Sequence, residues 1–172
     1  MRRVLCLLVI IMATTTAMAQ RGQDFASRFV QQCRQDTALE CITISPKMME
    51  QLLTMGGDSR NEQLMQAIAK LKSARIVQAS TRGAHYYQLA EELLKKNARR
   101  FRYVKNFRTE HSTGVFYNRQ ARNGDTVELV MLCQTVESDK FVLINLTGDI
   151  DEEFVEMLSQ LFGQRASHAP DE

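Results

Sequence analysis

Apolar positions along this chain change their spacing twice, and each change marks a region. Val4 to Ala13 (VLCLLVIIMA) is a continuous apolar run. From Phe25 onward apolar side chains recur every three or four residues, the spacing of helices that bury one face. Phe25, Phe29, Val30 and Cys33 predict a first helix over about 23–35. Glu40 to Ile44 (ECITI) is short and β-rich. Ser45-Pro46 then opens a second helix, with Ser45 as N-cap and Pro46 at the first helical position. Met48, Met49, Leu52 and Leu53 form its apolar stripe, and Gly56-Gly57 ends it. Leu64, Met65, Ile68 and Leu71 predict a third helix over about 61–72. Arg75 to Ser80 reads as a second strand, broken by Gly83. A fourth helix over about 84–98 buries Tyr86, Leu89, Ala90, Leu93 and Leu94.

The last third turns to strand spacing. Strands are predicted over 101–108 and 114–119, and Asn123-Gly124 is a strong hairpin turn. Thr126 to Val136 and Lys140 to Thr147 are the most apolar strands, joined by a tight Glu137-Ser138-Asp139 turn. Their apolar residues sit at adjacent as well as alternate positions, as in central strands covered on at least one face. A last helix over about 151–162 buries Phe154, Val155, Leu158, Leu161 and Phe162, and Gly163 stops it. The expected class is α+β: a mainly antiparallel sheet of about six strands, with helices packed on one face. Each of the first two strands is followed by helix, which leaves room for some parallel pairing.

The opening run alters the setting. Arg2 and Arg3 precede it, Thr14-Thr15-Thr16 follow it, and Ala17-Met18-Ala19 is a small-x-small cleavage site. That is the pattern of a secretory signal peptide, residues 1–19, cleaved after Ala19. The run is shorter than the roughly 20 apolar residues of a membrane-spanning helix, so no transmembrane segment is expected in the mature chain. The expected organisation is one α+β domain over 20–163 and a polar, disordered tail over 164–172. The expected location is the periplasm or the cell exterior. Without Arg2 and Arg3 the chain's 22 basic side chains fall to 20, equal to its 20 acidic ones. The mature protein is therefore near neutral.

Cys33, Cys41 and Cys133 stay in the mature chain. Cys33 and Cys41 stand at a helix end and a strand start and are the candidate disulfide pair. The alternative is three buried thiols acting as small hydrophobes. No CxxC occurs. His85, His111 and His168 show no i, i+4 pairing that would present two imidazoles to a metal. Asp149, Asp151, Glu152 and Glu153 lack the spacing of a calcium loop, and helix capping accounts for all four. Nucleophile elbows and phosphate-binding Gly loops are missing, so neither a catalytic set nor a cofactor is expected. Asn145-Leu146-Thr147 fits a glycosylation sequon but lies inside a core strand, where it is inert.

The strongest surface signal is Lys95 to Arg108 (KKNARRFRYVKNFR), in which seven of fourteen residues are basic and Phe101, Tyr103 and Phe107 are interleaved. Lys95, Lys96, Arg99, Arg100 and Arg102 are the candidate binding residues. Export makes an envelope protein or an anionic glycan or lipid the expected partner, and no nucleic acid. The competing reading is a solvated helix end, where positive side chains complement the helix dipole.

The succession of Ser45-Pro46-Lys47-Met48-Met49, Arg75-Ile76-Val77 after Lys70-Leu71-Lys72, and a strand running into Leu146-Thr147-Gly148-Asp149-Ile150-Asp151 resembles one family. It is that of the small exported bacterial proteins grouped as domain of unknown function 4252, common in the Bacteroidetes phylum. The resemblance spans nearly the whole mature chain. It implies an envelope or lipid-anchored location and brings no catalytic residues. No lipid-attachment cysteine follows the apolar run here, so a soluble periplasmic or secreted form is expected. The combined expectation is a non-catalytic binding or scaffolding module, contacting its partner through an open sheet face or the basic stretch. Two alternatives stand beside it: a small periplasmic hydrolase or ligand sensor, marked by a deep pocket setting His85 or His111 beside a carboxylate, and a self-associating structural protein.

Overall fold

A computed structural model describes residues 23–55, 62–135 and 137–164. Five helices and six strands follow in the order α1 (Phe25–Gln32), β1 (Glu40–Ile44), α2 (Pro46–Met55), α3 (Glu62–Ala69), β2 (Leu71–Ala79), α4 (Gly83–Lys96), β3 (Arg102–Arg108), β4 (Ser112–Gln120), β5 (Thr126–Thr135), β6 (Lys140–Ile150) and α5 (Glu152–Gln164). The Gly56-Gly57 stop, the signal segment and most of the tail lie outside the described residues, while α5 itself extends to Gln164.

Local signals set the boundaries. The Ser45 hydroxyl accepts the Met48 amide at 3.3 Å, capping α2 ahead of Pro46. Asp151 does the same for α5, accepting the Phe154 amide at 2.8 Å, which is the capping role expected of that acidic run. Gly124 takes φ +96° in the β4–β5 turn, a conformation that favours glycine. β2 begins at Leu71, four residues ahead of its predicted start. Gly148 accounts for this early pairing: at φ +150°, it lets β6 approach so closely that a Cβ would stand 2.6 Å from the Lys70 carbonyl oxygen.

All five strand pairings are antiparallel, in the order β1-β2-β6-β5-β4-β3. The α+β class holds, and among the described residues no strands pair in parallel. The one-face placement of the helices needs correction, because helices cover both faces. Val77, Val115, Val130, Leu132 and Leu143 point to one face and pack with Phe25 and Phe29 of α1 and Tyr86, Ala90 and Leu94 of α4. Ala74, Phe116, Leu129, Met131 and Leu146 point to the other and pack with Met49 of α2, Ala67 of α3 and Phe154 of α5. Neighbours along a strand face opposite ways, so the adjacent apolar residues of β5 and β6 demand cover on both sides. Among the described residues the central strands β6 and β5 are covered on both faces, and exposure is greatest on the edge strands β1 and β3. On the α1–α4 side rings interlock: Phe25 meets Phe101 edge-on at 5.5 Å, and Phe29 meets Phe141 at 5.8 Å.

Candidate functional site

At one end of the α1–α4 face the apolar rows give way to a polar row, Arg75, Asn145, Glu128 and Arg119, carried on neighbouring strands β2, β6, β5 and β4. Glu128 and Asn145 are the buried polar residues of the described core, at 0% and 1% exposure. Both serve the start of α1. The first amides of a helix have no partner within it. Here Phe25 donates to Glu128 Oε1 at 2.6 Å, Ala26 donates to Asn145 Oδ1 at 2.8 Å, and Ser27 donates to Asp24 Oδ1 at 2.8 Å. Asn145 Nδ2 returns a bond to Glu128 Oε1 at 3.2 Å and another to the Leu129 carbonyl at 3.3 Å.

A buried carboxylate is costly unless paired and hydrogen-bonded. Arg119 Nε donates to Glu128 Oε2 at 2.6 Å, and Arg100 stands 4.0 Å from the same oxygen. Arg100 also donates to the Gln23 carbonyl at 2.9 Å and lies over the Phe101 ring at 5.5 Å. Burial lowers the pKa of its guanidinium, and the Glu128 charge opposes that shift. On the far side Arg75 pairs with Asp24 at 3.3 Å and bonds the Ser27 hydroxyl. The row is a clamp that seats α1 on the sheet.

The predicted basic stretch therefore divides. Arg100 belongs to the clamp. Lys95 and Lys96 are exposed on α4 and pair with Glu91 at 2.9 Å and Glu92 at 3.4 Å. Such surface pairs contribute about 0.3–0.5 kcal/mol each. Arg102 donates to the neutral Gln120 side chain at 3.0 Å, and Lys105 pairs with Glu156 of α5 at 2.5 Å. Arg99 and Arg108 are exposed. Beside this rim Tyr103, 57% exposed, stands edge-on to Tyr117 at 6.0 Å. Burial raises the pKa of the Tyr117 phenol, Glu91 raises it further and Lys95 opposes, so the α4 charges and the β3 edge share one neighbourhood. The structure thus brings Lys95, Tyr103 and Tyr117 together and takes Arg100 inward, while Arg102, next to Tyr103 on β3, pairs with Asn118 and turns toward Gln120 on the other side of that edge.

A second cluster collects chemistry-bearing residues around a depression of about 470 Å³ beside the start of α4, lined by Cys33, Asp36, Arg82, His85 and Tyr86 among others. The Tyr86 hydroxyl donates to Asp36 at 2.5 Å, Arg82 donates to Asp36 at 2.9 Å, and the Ala38 amide donates to its other oxygen at 3.1 Å. These bonds, the Tyr86 one foremost, hold the Asp36 carboxyl below its usual range. Burial, then the Asp36 bond, pushes Tyr86 up to about 12. Burial, then the Asp36 charge, pushes the Cys33 thiol up. The cluster is an ion-paired lock, in which Tyr86 and Arg82 both hold the Asp36 carboxylate. Asp36, the carboxylate near His85, already has its bonds, and His111 meets Glu137 at 3.0 Å on the exposed surface.

Cys33, Cys41 and Cys133 are free thiols, with Cys41 exposed and the other two half-buried. Among the described residues, no three His, Cys, Asp or Glu side chains converge as a metal would require. No helix of the described residues is long and apolar enough to cross a membrane.

The family model for a domain of unknown function (DUF4252) matches residues 34–158, and the chain belongs to that family. The match takes in the sheet from β1 to β6 and begins after α1. A comparison with curated proteins finds no match.

Proposed function

We propose that this chain is exported, loses residues 1–19, and acts in the cell envelope as a non-catalytic binding module. Its partner is anionic: an acidic envelope protein, or an acidic glycan or lipid headgroup. The docking surface is the rim where α4 meets the β3 edge, with Lys95, Lys96, Arg99 and Arg102 supplying charge and Tyr103 a contact face. The observation that carries this reading is Tyr103, a large ring left 57% exposed on edge strand β3, edge-on to Tyr117, whose phenol feels the Lys95 charge. Tyrosine beside arginine is a frequent anchor of protein interfaces. The signal-like sequence of residues 1–19 supports the location.

The test is cross-linking of residues 20–172 in envelope extracts, with anionic and neutral vesicles and an acidic polysaccharide as further arms. A variant carrying Lys95→Gln, Lys96→Gln, Arg99→Gln and Arg102→Gln runs in parallel. Retention by an anionic partner that weakens with salt and disappears in the variant supports the reading. Equal retention of variant and wild type, or none in any arm, overturns it.

A further inference from the structure

On the sheet face opposite α1 and α4, a cavity of about 160 Å³ lies beneath α2, α3 and α5. Its lining is wholly apolar and includes Met49, Ile68, Phe116, Met131, Ile144 and Phe154. We infer that this cavity is a binding site for a hydrocarbon group of about six carbons, a single ring or the tip of an alkyl chain.

Three observations carry the inference. The first is size. Apolar cavities of about 150 Å³ accept a benzene-sized guest, and this pocket, closed on the sheet side and partly open past Ile68 and Leu158, offers about the same room. The second is chemistry. A water needs two to four polar partners, and the lining presents no polar surface. Water therefore gains nothing there, and a polar or charged ligand would lose its hydration without replacement. The third is adaptability. Two walls are methionines, Met49 from α2 and Met131 from β5, whose flexible thioethers refit around guests of different outline. The contrast within the molecule is direct, because the opposite face is filled by the rings of Phe25, Phe29, Tyr86, Phe101 and Phe141. This site is separate from the cationic rim and does not depend on it.

The test is titration of residues 20–172 with benzene and, separately, with octanoate, followed by NMR of the Met, Ile and Leu methyl groups. Two cavity-filling variants, Leu129→Phe and Ile68→Phe, accompany the wild type. The expected result is saturable shifts at Met49, Ile68, Met131 and Ile144, with none at Leu132 or Leu143 on the other face. At least one filled variant should lose these shifts while melting about 2–4 °C higher. Shifts with benzene alone would limit the site to compact guests, and shifts with both would admit chain tips. No saturable shift with either ligand, or equal shifts on both faces, would overturn the inference. So would filled variants that fold yet bind as the wild type does.

Discussion

The Glu128 carboxylate accepts the Phe25 amide at 2.6 Å, joining residues 103 apart in the chain. That bond places a buried negative charge against the positive end of α1, where the helix dipole and two arginines favour it. Replacing Glu128 with Ala leaves the Phe25 amide and Arg119 without their shared acceptor. Loss of one member of a buried pair costs about 3–5 kcal/mol, and urea unfolding should show a fall of that order. Hydrogen exchange locates it: Phe25 and Ala26 should lose protection first, while the amides of β5 and β6 keep theirs. Glu128→Gln retains an acceptor for Phe25 and should cost less.

Stability should fall at both ends of the pH scale, for different residues. The Asp36 carboxyl lies below its usual range chiefly through the Tyr86 hydroxyl, and that of Asp151 chiefly through the Phe154 amide. A carboxyl held low when folded contributes stability that is present above about pH 4 and is lost as pH falls through the folded value. Tyr86 and Tyr87 are pushed up to about 12, each mainly by burial. Unfolded tyrosine ionises near pH 10, so their contribution is complete below about pH 10 and is lost as pH rises toward 12. Urea midpoints across the range should decline below pH 4 and above pH 10. Asp36→Asn should flatten the acid limb, and Tyr86→Phe the alkaline one.

The three thiols should react in a set order. Cys41 is exposed on edge strand β1, while burial raises the pKa of Cys33 and Cys133. Since the thiolate is the reactive form, alkylation followed by mass spectrometry should label Cys41 well ahead of the others. A Cys33–Cys41 bridge in protein taken from an oxidising compartment would appear as loss of both labels, restored by reduction. Labelling of Cys133 first would contradict the placement of β5.

Much of this was legible in the chain. Counting outward from Asn123-Gly124 sets Arg119 opposite Glu128, the pairing found. That signal was available, yet a lone carboxylate in an apolar strand reveals its purpose only once α1 lies above it. Asn145 was legible as a core position, and its bond to Ala26 was not, because that contact spans 119 residues. The start of β2 departs from the apolar pattern because Leu64, Ile68 and Leu71 continue a helical spacing into what is strand at Leu71. A run of cations, too, carries no depth in one dimension. Arg100 precedes Phe101, which is 2% exposed, and this neighbour is the cue that draws it inward.

The division of that run is the central claim, and one paired comparison tests it. Melting and anionic-partner binding are measured for Arg100→Gln and for the Lys95, Lys96, Arg99 and Arg102 to Gln variant. Arg100 makes charge-assisted contacts of the kind that contribute about 1.5–3 kcal/mol, so its loss should lower the melting temperature by several degrees. The four-site variant gives up only two surface pairs, so it should melt about 1–4 °C below the wild type, less than Arg100→Gln does, and lose binding. A four-site variant that binds unchanged, or an Arg100→Gln protein that melts as the wild type does, would contradict the account.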